Sequence, residues 1–301
     1  MTNLKFSDSS APLSNQPNFT PELTADGSYT FFSAEFGEWF HSRGGAYDEA
    51  KLTFVEATHL HQKAHRARLY LLDICYGLGY NTAAALETIW RVNPTCQVHL
   101  VGLEINQAVP LSAIAHHLTD GWSPTIRQIL ATLALKHQAQ GDRLEAQLLL
   151  GDAREQVQSL IQMDFQADAI FLDPFSPPHC PSLWTVEFLQ QLATCLRPDG
   201  RLATYSCAAA VRTALQLAGL TIGSTQAIGR HWPGTVASFT ESDLPPLSQQ
   251  EQEHLRTRAA VPYRDPTLNA SANEIVRRRQ QEQKMSDFEP ASRWRKRWLR
   301  R

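Results

Sequence analysis

The chain has 301 residues, of which 43% are hydrophobic, and its formal net charge at pH 7 is −2. This length and apolar content favour one globular domain with attached segments, and the charge excludes a uniformly basic nucleic-acid binder. Five scattered cysteines without a CxxC pair argue against a disulfide framework or a zinc site and predict reduced thiols in a cytoplasmic protein.

The N-terminal segment is polar. Residues 1–27 are rich in Ser, Asn and Pro, and they are predicted to be poorly ordered. They lack the apolar core of a signal peptide, and the chain has no apolar run of about 18 residues, so no membrane span is expected. Residues 28–66 are predicted to form a short hairpin and helical pieces that extend the main domain at its N-terminus.

Apolar runs then alternate with amphipathic stretches. The predicted strands are residues 68–74, 96–104, 145–152, 168–173 and 200–206, followed by an antiparallel pair at 220–228 and 234–240. The predicted helices are residues 81–92, 107–118, 123–140, 153–163, 180–196 and 208–219. Asn81 is the predicted N-cap of the first of these helices. The pattern predicts an α/β domain over residues 28–240, with a seven-stranded, mostly parallel sheet and helices on both faces.

An acidic residue closes four of the predicted strands: Asp73, Glu104, Asp152 and Asp173. Ligands of such sheets bind outside the carboxyl ends of the strands, so these acids are predicted to share one site. The alternative is that each acid caps the helix that follows, where the helix dipole favours negative charge.

The stretch "LLDICYGLGYN", residues 71–81, has the pattern of a strand, a glycine turn and a helix start. Gly77 and Gly79 allow a close approach of backbone to ligand. The third glycine of the dinucleotide fingerprint is missing, because position 82 is Thr. The carboxylate of Asp73 would repel a pyrophosphate and attract a ligand with a sulfonium and an amino group. This favours S-adenosyl-L-methionine over a nicotinamide dinucleotide.

Two further acids complete the predicted cofactor site. Glu104 suits the hydroxyl groups of a ribose, and Asp152 with the amide of Ala153 suits an adenine. An acid with GxG on the first strand and acids on the next two is the layout of class I (Rossmann-like) methyltransferases. The full predicted cofactor set is Asp73, Tyr76, Gly77, Gly79, Asn81, Glu104, Asp152 and Ala153.

The stretch "IFLDPFSPPHCPSLW", residues 170–184, follows an apolar strand with Asp173 and several prolines. Methyl transfer from a sulfonium is an in-line displacement, for which the enzyme must align and deprotonate the nucleophile. Asp173 is the predicted catalytic carboxylate for an amine, because DPF resembles the D/N-P-P-Y/F loop of amino-methylating enzymes. Proline stiffens such a loop and leaves carbonyls free to face the amine. The alternative is a proline-rich turn in which Asp173 caps the next helix.

The predicted substrate-binding residues surround that loop. They are Pro174 and Phe175, with Trp184 as a second stacking wall, and Tyr205, His41 and Arg230. Tyr205 is equally compatible with a core position, and His41 with a structural role. Arg230, with His231 and Trp232, is a candidate for RNA contacts or forms an ordinary β-turn.

Several segments together resemble the methyltransferase that completes 5-methylaminomethyl(-2-thio)uridine at the tRNA wobble position. These are "LDICYGLGYN", the Asp-Pro-Phe block, "GRHWPGTVA" and "GEWFHSRGGAYDEAKLTFVEATHL", in which His41, Ser42, Gly45, Ala46 and Glu49 match the family's HS..GA..E segment. The family is the MnmD type, similar to the methyltransferase half of bifunctional MnmC, and the resemblance covers residues 28–240. This chain departs from the family pattern at two positions. The family usually has glycine where Cys75 stands, and it often has glycine where Pro174 stands.

The resemblance implies S-adenosyl-L-methionine-dependent N-methylation of 5-aminomethyluridine in tRNA, with Asp173 as the catalytic carboxylate. A length of 301 residues leaves no room for the FAD-dependent oxidase of the bifunctional form. We therefore expect other enzymes to supply the aminomethyl group. The alternatives are a small-amine transferase resembling polyamine synthases, a nicotinamide-dependent oxidoreductase and a non-catalytic tRNA-binding protein.

Residues 241–301 differ in composition from the rest. From Arg277 onward they contain ten Lys or Arg and three Asp or Glu, together with Trp294 and Trp298. Basic and aromatic residues in alternation suit contacts with RNA phosphates and bases. Equally, the tail is a helix that packs its tryptophans on the core.

Overall fold

The computed structural model describes residues 19–227, 232–241 and 243–299. Its first elements are short hairpin strands: β1 (Glu22–Leu23), β2 (Tyr29–Thr30), β3 (Phe32–Ser33) and β4 (Glu38–Trp39). The later strands are β5 (Arg68–Ile74), β6 (Gln97–Glu104), β7 (Gln138–Gly141), β8 (Leu144–Leu150), β9 (Ala167–Leu172), β10 (Leu196–Thr204), β11 (Thr221–Ser224) and β12 (Thr235–Ser238).

Strands β5 to β12 form one sheet, which has eight strands within the described residues, in the order β11-β12-β10-β9-β5-β6-β8-β7. The central strands β10, β9, β5, β6 and β8 are parallel to their neighbours in that group. Strand β12 is antiparallel to β10 and β11, and β7 is antiparallel to β8. The carboxyl ends of the parallel strands therefore meet at one edge, as the acids at the strand ends predict.

Helices cover both faces of the sheet. They are α1 (Ala46–Asp48), a π-helix (Glu49–Glu56), α2 (Leu60–Lys63), α3 (Tyr80–Val92), α4 (Ala108–Ala115), α5 (Pro124–Lys136), α6 (Ala153–Gln162), a 3₁₀ turn (Pro181–Trp184), α7 (Val186–Thr194), α8 (Ala209–Leu217), α9 (Gln249–His254), a 3₁₀ turn (Arg258–Ala260), α10 (Ala272–Met285) and α11 (Ala291–Leu299). One buried apolar cluster joins the sheet to the π-helix, α3 and α5, and another joins it to α6, α7 and α8.

Several predicted boundaries differ from the structure. The helix predicted over residues 123–140 ends at Lys136, because His137 adopts a left-handed φ of 60° and the chain returns as β7. This hairpin strand is the addition to the seven predicted strands. The helix predicted over residues 180–196 is a 3₁₀ turn followed by α7, whose N-cap is Thr185. Asp173 therefore does not cap that helix.

The predicted disorder of residues 1–27 is wrong for the described part of that segment. The ring of Phe19 is buried and stacks on Phe31 with ring centroids 5.1 Å apart, and β1 pairs with β2. Apolar side chains therefore anchor this segment to the main domain. Residues 1–18 of the prediction lie outside the described residues.

The C-terminal extension packs on the α/β domain over its described length. Ile275 of α10 is fully buried, and Trp294 of α11 is buried against His254, with ring centroids 4.2 Å apart. The guanidinium of Arg279 donates to the carbonyl oxygen of Val261 at 2.7 Å. Over the described residues, no helix has both the length and the apolar character needed to cross a membrane.

Candidate active site

Two cavities at the carboxyl edge of the sheet share Asp173. The inner cavity lies above β5, β6 and β8, and Gly77, Glu104 and Asp152 are among its lining residues. The outer cavity lies between the N-terminal hairpin β3–β4 and the proline-rich loop, and its lining includes Trp39, Arg43, Pro174, Ser176 and Tyr205. Phe40 and His41 also line both cavities. The acid predicted to be catalytic thus stands at the junction of two compartments.

The glycine turn is held in a left-handed conformation. Cys75, Gly77 and Gly79 have φ angles of 65°, 56° and 83°. A Cβ atom on Gly79 would lie 2.8 Å from the hydroxyl oxygen of Tyr76, so this position requires glycine. Cys75 takes the left-handed angle although it is not glycine, which costs roughly 1–2 kcal/mol for an L-residue. Glycine, which the resemblance implies for this position in other members, would avoid this cost.

Tyr76 fills the space under the turn. Its ring is 3% exposed and packs against Gly102 of β6, where a Cβ atom would lie 2.9 Å from the Tyr76 ring. Burial raises the pKa of its hydroxyl. Tyr76 lines the inner cavity, whereas Gly79 lies behind it. The two residues therefore shape the turn together, and only Tyr76 faces the ligand space.

Glu104 is the acid at the end of β6, and its carboxylate is held by backbone amides. Its Oε2 accepts from the N–H of Gly77 at 2.8 Å, and its Oε1 accepts from the N–H of Asn106 at 2.9 Å. Burial raises the pKa of Glu104, and these amides oppose the rise. Each carboxylate oxygen keeps a second lone pair for another donor, which suits the hydroxyl groups of a ribose.

Asp73 lies behind the cavity wall. It is fully buried and does not line the inner cavity, and its role in cofactor binding stays a prediction. Its Oδ2 accepts from Thr82 Oγ1 at 2.7 Å. Its Oδ1 has no hydrogen-bond partner among the described residues. Burial raises the pKa of Asp73 to about 7.

Within the described residues, Asp152 alone among the four acids caps a helix. Its side chain accepts from the N–H of Arg154 at 2.9 Å at the start of α6. Although burial opposes it, hydrogen bonds and charge from Arg154 lower the pKa of Asp152. Arg154 also donates to Asp265 of the C-terminal extension at 3.0 Å. Asp152 and Ala153 both line the inner cavity.

The carboxylate of Asp173 is oriented by α3. Its Oδ2 accepts from the Nδ2 of Asn81 at 3.0 Å, and its backbone N–H donates to the carbonyl of Ile74 at 3.2 Å. Asn81 is therefore not the N-cap of α3, which is Gly79. Nor does Asn81 line the inner cavity. Its side chain instead holds the carboxylate that is predicted to be catalytic.

The rest of the proline-rich loop is fixed by side chains from distant segments. The hydroxyl of Tyr205 donates to the carbonyl of Pro174 at 2.8 Å, and the Nε1 of Trp184 donates to the carbonyl of Phe175 at 2.8 Å. Trp184 is fully buried, so the prediction that it forms a stacking wall for the substrate is wrong. Its large ring instead supports the loop from below.

The aromatic wall comes from the N-terminal extension. The ring of Phe175 stacks on Phe36 with centroids 4.4 Å apart and meets Phe40 edge to face at 5.1 Å. His41 is 7% exposed and meets the ring of Tyr80 edge to face at 5.0 Å. His41 thus packs into the core on one side and borders both cavities on the other. The predicted Arg230 and its neighbour His231 lie outside the described residues.

Sequence reasoning missed the role of Glu38. Its Oε2 accepts from the N–H of Ser176 at 2.8 Å, its Oε1 accepts from the hydroxyl of the same serine, and its Oε1 lies 3.2 Å from the Nδ1 of His179. Beside it, the guanidinium of Arg43 lies over the ring of Trp39 at 5.3 Å. The signal available in the sequence was an acid placed among aromatics in "EFGEWF".

Comparison with known proteins identifies the family. A model described as S-adenosyl-L-methionine-dependent methyltransferase matches residues 111–240. The crystal structure of MnmC2 from Aquifex aeolicus is 31% identical, with a TM-score of 0.79 over 91% of this chain and 87% of that chain. This chain belongs to the MnmC2 family of S-adenosyl-L-methionine-dependent methyltransferases. The predicted family, class I fold and cofactor are thereby confirmed, and the nicotinamide-dependent alternative is excluded.

Other relatives of this methyltransferase are larger proteins. The tRNA 5-methylaminomethyl-2-thiouridine biosynthesis bifunctional protein MnmC of Aromatoleum aromaticum is 34% identical over 212 residues, which are 65% of this chain and 32% of that protein. The protein of the same name from Methylibium petroleiphilum is 31% identical over 220 residues. An uncharacterized protein of Methanocaldococcus jannaschii is 27% identical over 263 residues, 86% of this chain. The chain spans about a third of the length of the MnmC proteins.

Proposed function

We propose that this methyltransferase N-methylates the 5-aminomethyl group of (2-thio)uridine at the wobble position of tRNA. The observation that carries the proposal is the position of Asp173 at the junction of the inner and outer cavities. A methyl donor on one side and an amine on the other would meet at this carboxylate. The printed name of the MnmC relatives, tRNA 5-methylaminomethyl-2-thiouridine biosynthesis, supports a tRNA amine as the acceptor.

The inner cavity fits S-adenosyl-L-methionine. The unpartnered Oδ1 of buried Asp73 supplies negative potential close to the wall, which suits the cationic methionine end of the cofactor. In this proposal Glu104 accepts from the ribose hydroxyls, while Asp152 and the N–H of Ala153 face the adenine. The cofactor supplies a methyl group bound to a positively charged sulfur.

The outer cavity receives the amine. Asp173 accepts a hydrogen bond from the aminomethyl group, takes the proton that the ammonium form must lose, and directs the nitrogen lone pair towards the inner cavity. The N–H of Asn81 holds the carboxylate in place. Phe40 and His41, which line both cavities, exclude water from the junction. S-adenosyl-L-methionine held in the inner cavity would supply its methyl group to this nitrogen and would leave as the neutral thioether.

The outer wall suits a nucleoside. Trp39 and Phe40 present aromatic rings to this cavity, and Arg43 presents a cation beside the ring of Trp39. Stacking of a base against such rings and a charge for the neighbouring phosphate are typical of single-stranded RNA binding. The proposed substrate carries an aminomethyl group that another enzyme must install before this reaction.

The remaining alternatives are transfer to a small polyamine and tRNA binding without turnover. The test measures transfer of labelled methyl from S-adenosyl-L-methionine to tRNA carrying 5-aminomethyluridine, to unmodified tRNA and to putrescine. We expect label on the aminomethyl tRNA alone. Asp173→Asn should lower the rate by about 10²- to 10⁴-fold, the usual worth of a general base.

The matched control is Asp164→Asn, which makes the same chemical change on an exposed turn with φ 52°. It should retain the wild-type rate. Label on putrescine would instead support the small-amine reading. Cofactor binding without label on any acceptor would support the non-catalytic reading.

A further inference from the structure

A third cavity lies where the C-terminal extension meets the α/β domain. We call it the C-terminal cavity. Its inner part includes Arg212 and Glu251, and its outer part includes Trp232, Arg295, Trp298 and Leu299. The active-site residues named above do not line it, so it is separate from the inner and outer cavities.

The floor of the C-terminal cavity is built from fixed groups. The guanidinium of Arg212 is 2% exposed and pairs with Glu251 at 2.8 Å. His254 and Trp294 stack with ring planes 11° apart. The indole N–H of Trp298 donates to Glu253 at 2.9 Å. The aromatic surface is therefore held in one arrangement before any ligand arrives.

The rim combines aromatic and cationic groups. The side chains of Trp232 and Leu299 are 46% and 79% exposed, and Arg295 is exposed beside them. The carboxylates nearby are already paired, because Arg297 binds both Glu253 and Glu289. The net character of the rim is thus apolar and positive, which complements a nucleic acid strand.

The C-terminal cavity lies close to the segment that borders the substrate side of the active site. Cys207 and Ala208, which line it, follow Tyr205 closely in the chain. A Cβ atom on Gly234, two residues after Trp232, would lie 3.3 Å from the Cα of Tyr205. Tyr205 lines the outer cavity and donates to the carbonyl of Pro174. The short segment from Tyr205 to Ala208 therefore borders the outer cavity at one end and the C-terminal cavity at the other.

We propose that the C-terminal cavity binds single-stranded RNA next to the nucleotide that is methylated. An RNA base stacks on Trp232 or Trp298, and a phosphate pairs with Arg295. This inference rests on the proposed function, since it assigns the binding of the RNA strand beyond the target nucleotide. It also explains why a basic tail with tryptophans is packed on the catalytic domain.

The test measures affinity of the full chain for an unmodified tRNA anticodon stem-loop by fluorescence anisotropy, at several salt concentrations. Arg295→Glu and Trp232→Ala should each weaken binding by on the order of tenfold. Arg295→Glu should also lower the magnitude of the salt slope by about one. The matched control is Arg277→Glu, which removes the same charge from an exposed site on α10. It should bind as the wild type does.

The outcomes are separable from those of the methylation test. Equal weakening by Arg295→Glu and Arg277→Glu would overturn the inference, because only total charge would then matter. Unchanged binding in both Arg295→Glu and Trp232→Ala would also overturn it and point to a protein partner for this cavity. If the wild type binds RNA through these residues but transfers no methyl group to aminomethyl tRNA, the inference stands and the proposed function fails. Retained S-adenosyl-L-methionine binding shows that each variant is folded.

Discussion

At the residue scale, Asp73 shows how burial changes the pKa of an acid at the end of β5. One carboxylate oxygen bonds Thr82, and the other lacks a partner within the described part of the chain. A buried acid in this state is more stable when protonated, which is why the pKa of Asp73 rises to about 7. In the proposed function, the same unpaired oxygen supplies negative potential for the cationic end of the cofactor. Under that proposal, the stability of the empty enzyme and its affinity for the cofactor oppose each other at this residue.

The pH dependence of stability follows from that pKa. In the unfolded chain Asp73 titrates near 3.8, and in the folded chain near 7. The stability that comes from the protonated acid is fully present below 3.8 and is lost as pH rises through about 7. The free energy of unfolding of the wild type should fall relative to Asp73→Asn across this interval, by at most about 1.4 kcal/mol per pH unit.

Urea unfolding of the ligand-free wild type and of Asp73→Asn at a series of pH values checks this. Parallel curves for the two proteins would contradict the prediction, because they would show that Asp73 ionises alike in both states. Asp164→Asn, which makes the same chemical change at an exposed position, supplies the matched curve.

At the scale of elements, the hairpin β3–β4 holds the proline-rich loop in place. Glu38 of β4 holds the backbone of Ser176, and Phe36, between the two strands, stacks on Phe175. The loop has little regular secondary structure of its own between β9 and the 3₁₀ turn, so these contacts determine its position. The position of the loop that follows Asp173 thus depends on a segment far away in the chain.

Removal of the hydrogen bonds between Glu38 and Ser176 should affect catalysis and leave the cofactor site intact. Glu38→Ala is expected to lower kcat/KM for the tRNA acceptor about 10- to 100-fold, because small misplacements of a reacting group are costly. Affinity for S-adenosyl-L-methionine should be unchanged in calorimetry. The exchange of the Ser176 amide proton should become faster, which hydrogen exchange detects without any substrate.

The control for this experiment is Glu35→Ala, at an exposed position in the same hairpin turn. It should behave as the wild type in all three measurements. A Glu38→Ala variant with slow Ser176 exchange and normal catalysis would show that the stacked rings alone hold the loop.

At the scale of the whole molecule, the C-terminal extension is tied to the core by buried ion pairs. Glu251 of α9 pairs with Arg212 of α8, and Asp265 pairs with Arg154 beside the inner cavity. Although burial opposes it, hydrogen bonds from Ser224 and Ser248 and the charge of Arg212 lower the pKa of Glu251 to about 2. The extension is therefore part of the folded unit at neutral pH.

Loss of the α9 partner should destabilise the protein. Glu251→Gln leaves the buried guanidinium of Arg212 without a counter-ion, which should cost about 3 kcal/mol of unfolding free energy. Glu253→Gln is the matched control two residues along the chain, in a more exposed ion pair, and should cost much less because exposed ion pairs contribute little. Urea unfolding measures both. Equal costs would show that the extension contributes little to global stability.

The sequence alone determined the alternation of strands and helices, and with it the class of fold. Apolar periodicity is a local property, so the parallel strands and the acids at their ends were recognisable without any contact information. Glu104, Asp152 and Asp173 reach the cavities for this reason: the topology brings the carboxyl ends of neighbouring parallel strands to one edge. The boundary of α5 and the strand β7 were missed because a turn at His137 overrides the helical pattern.

Only the tertiary structure decided which side chains support the site. Asn81 reaches Asp173 across 92 positions, and Glu38 reaches Ser176 across 138. Trp184 has the large aromatic side chain of a stacking residue, yet the packing of α7 and the sheet buries it completely. Packing likewise buries Asp73 completely, outside the lining of the inner cavity. Such contacts depend on how distant elements pack, because a residue's neighbours in space are not encoded in the periodicity around it.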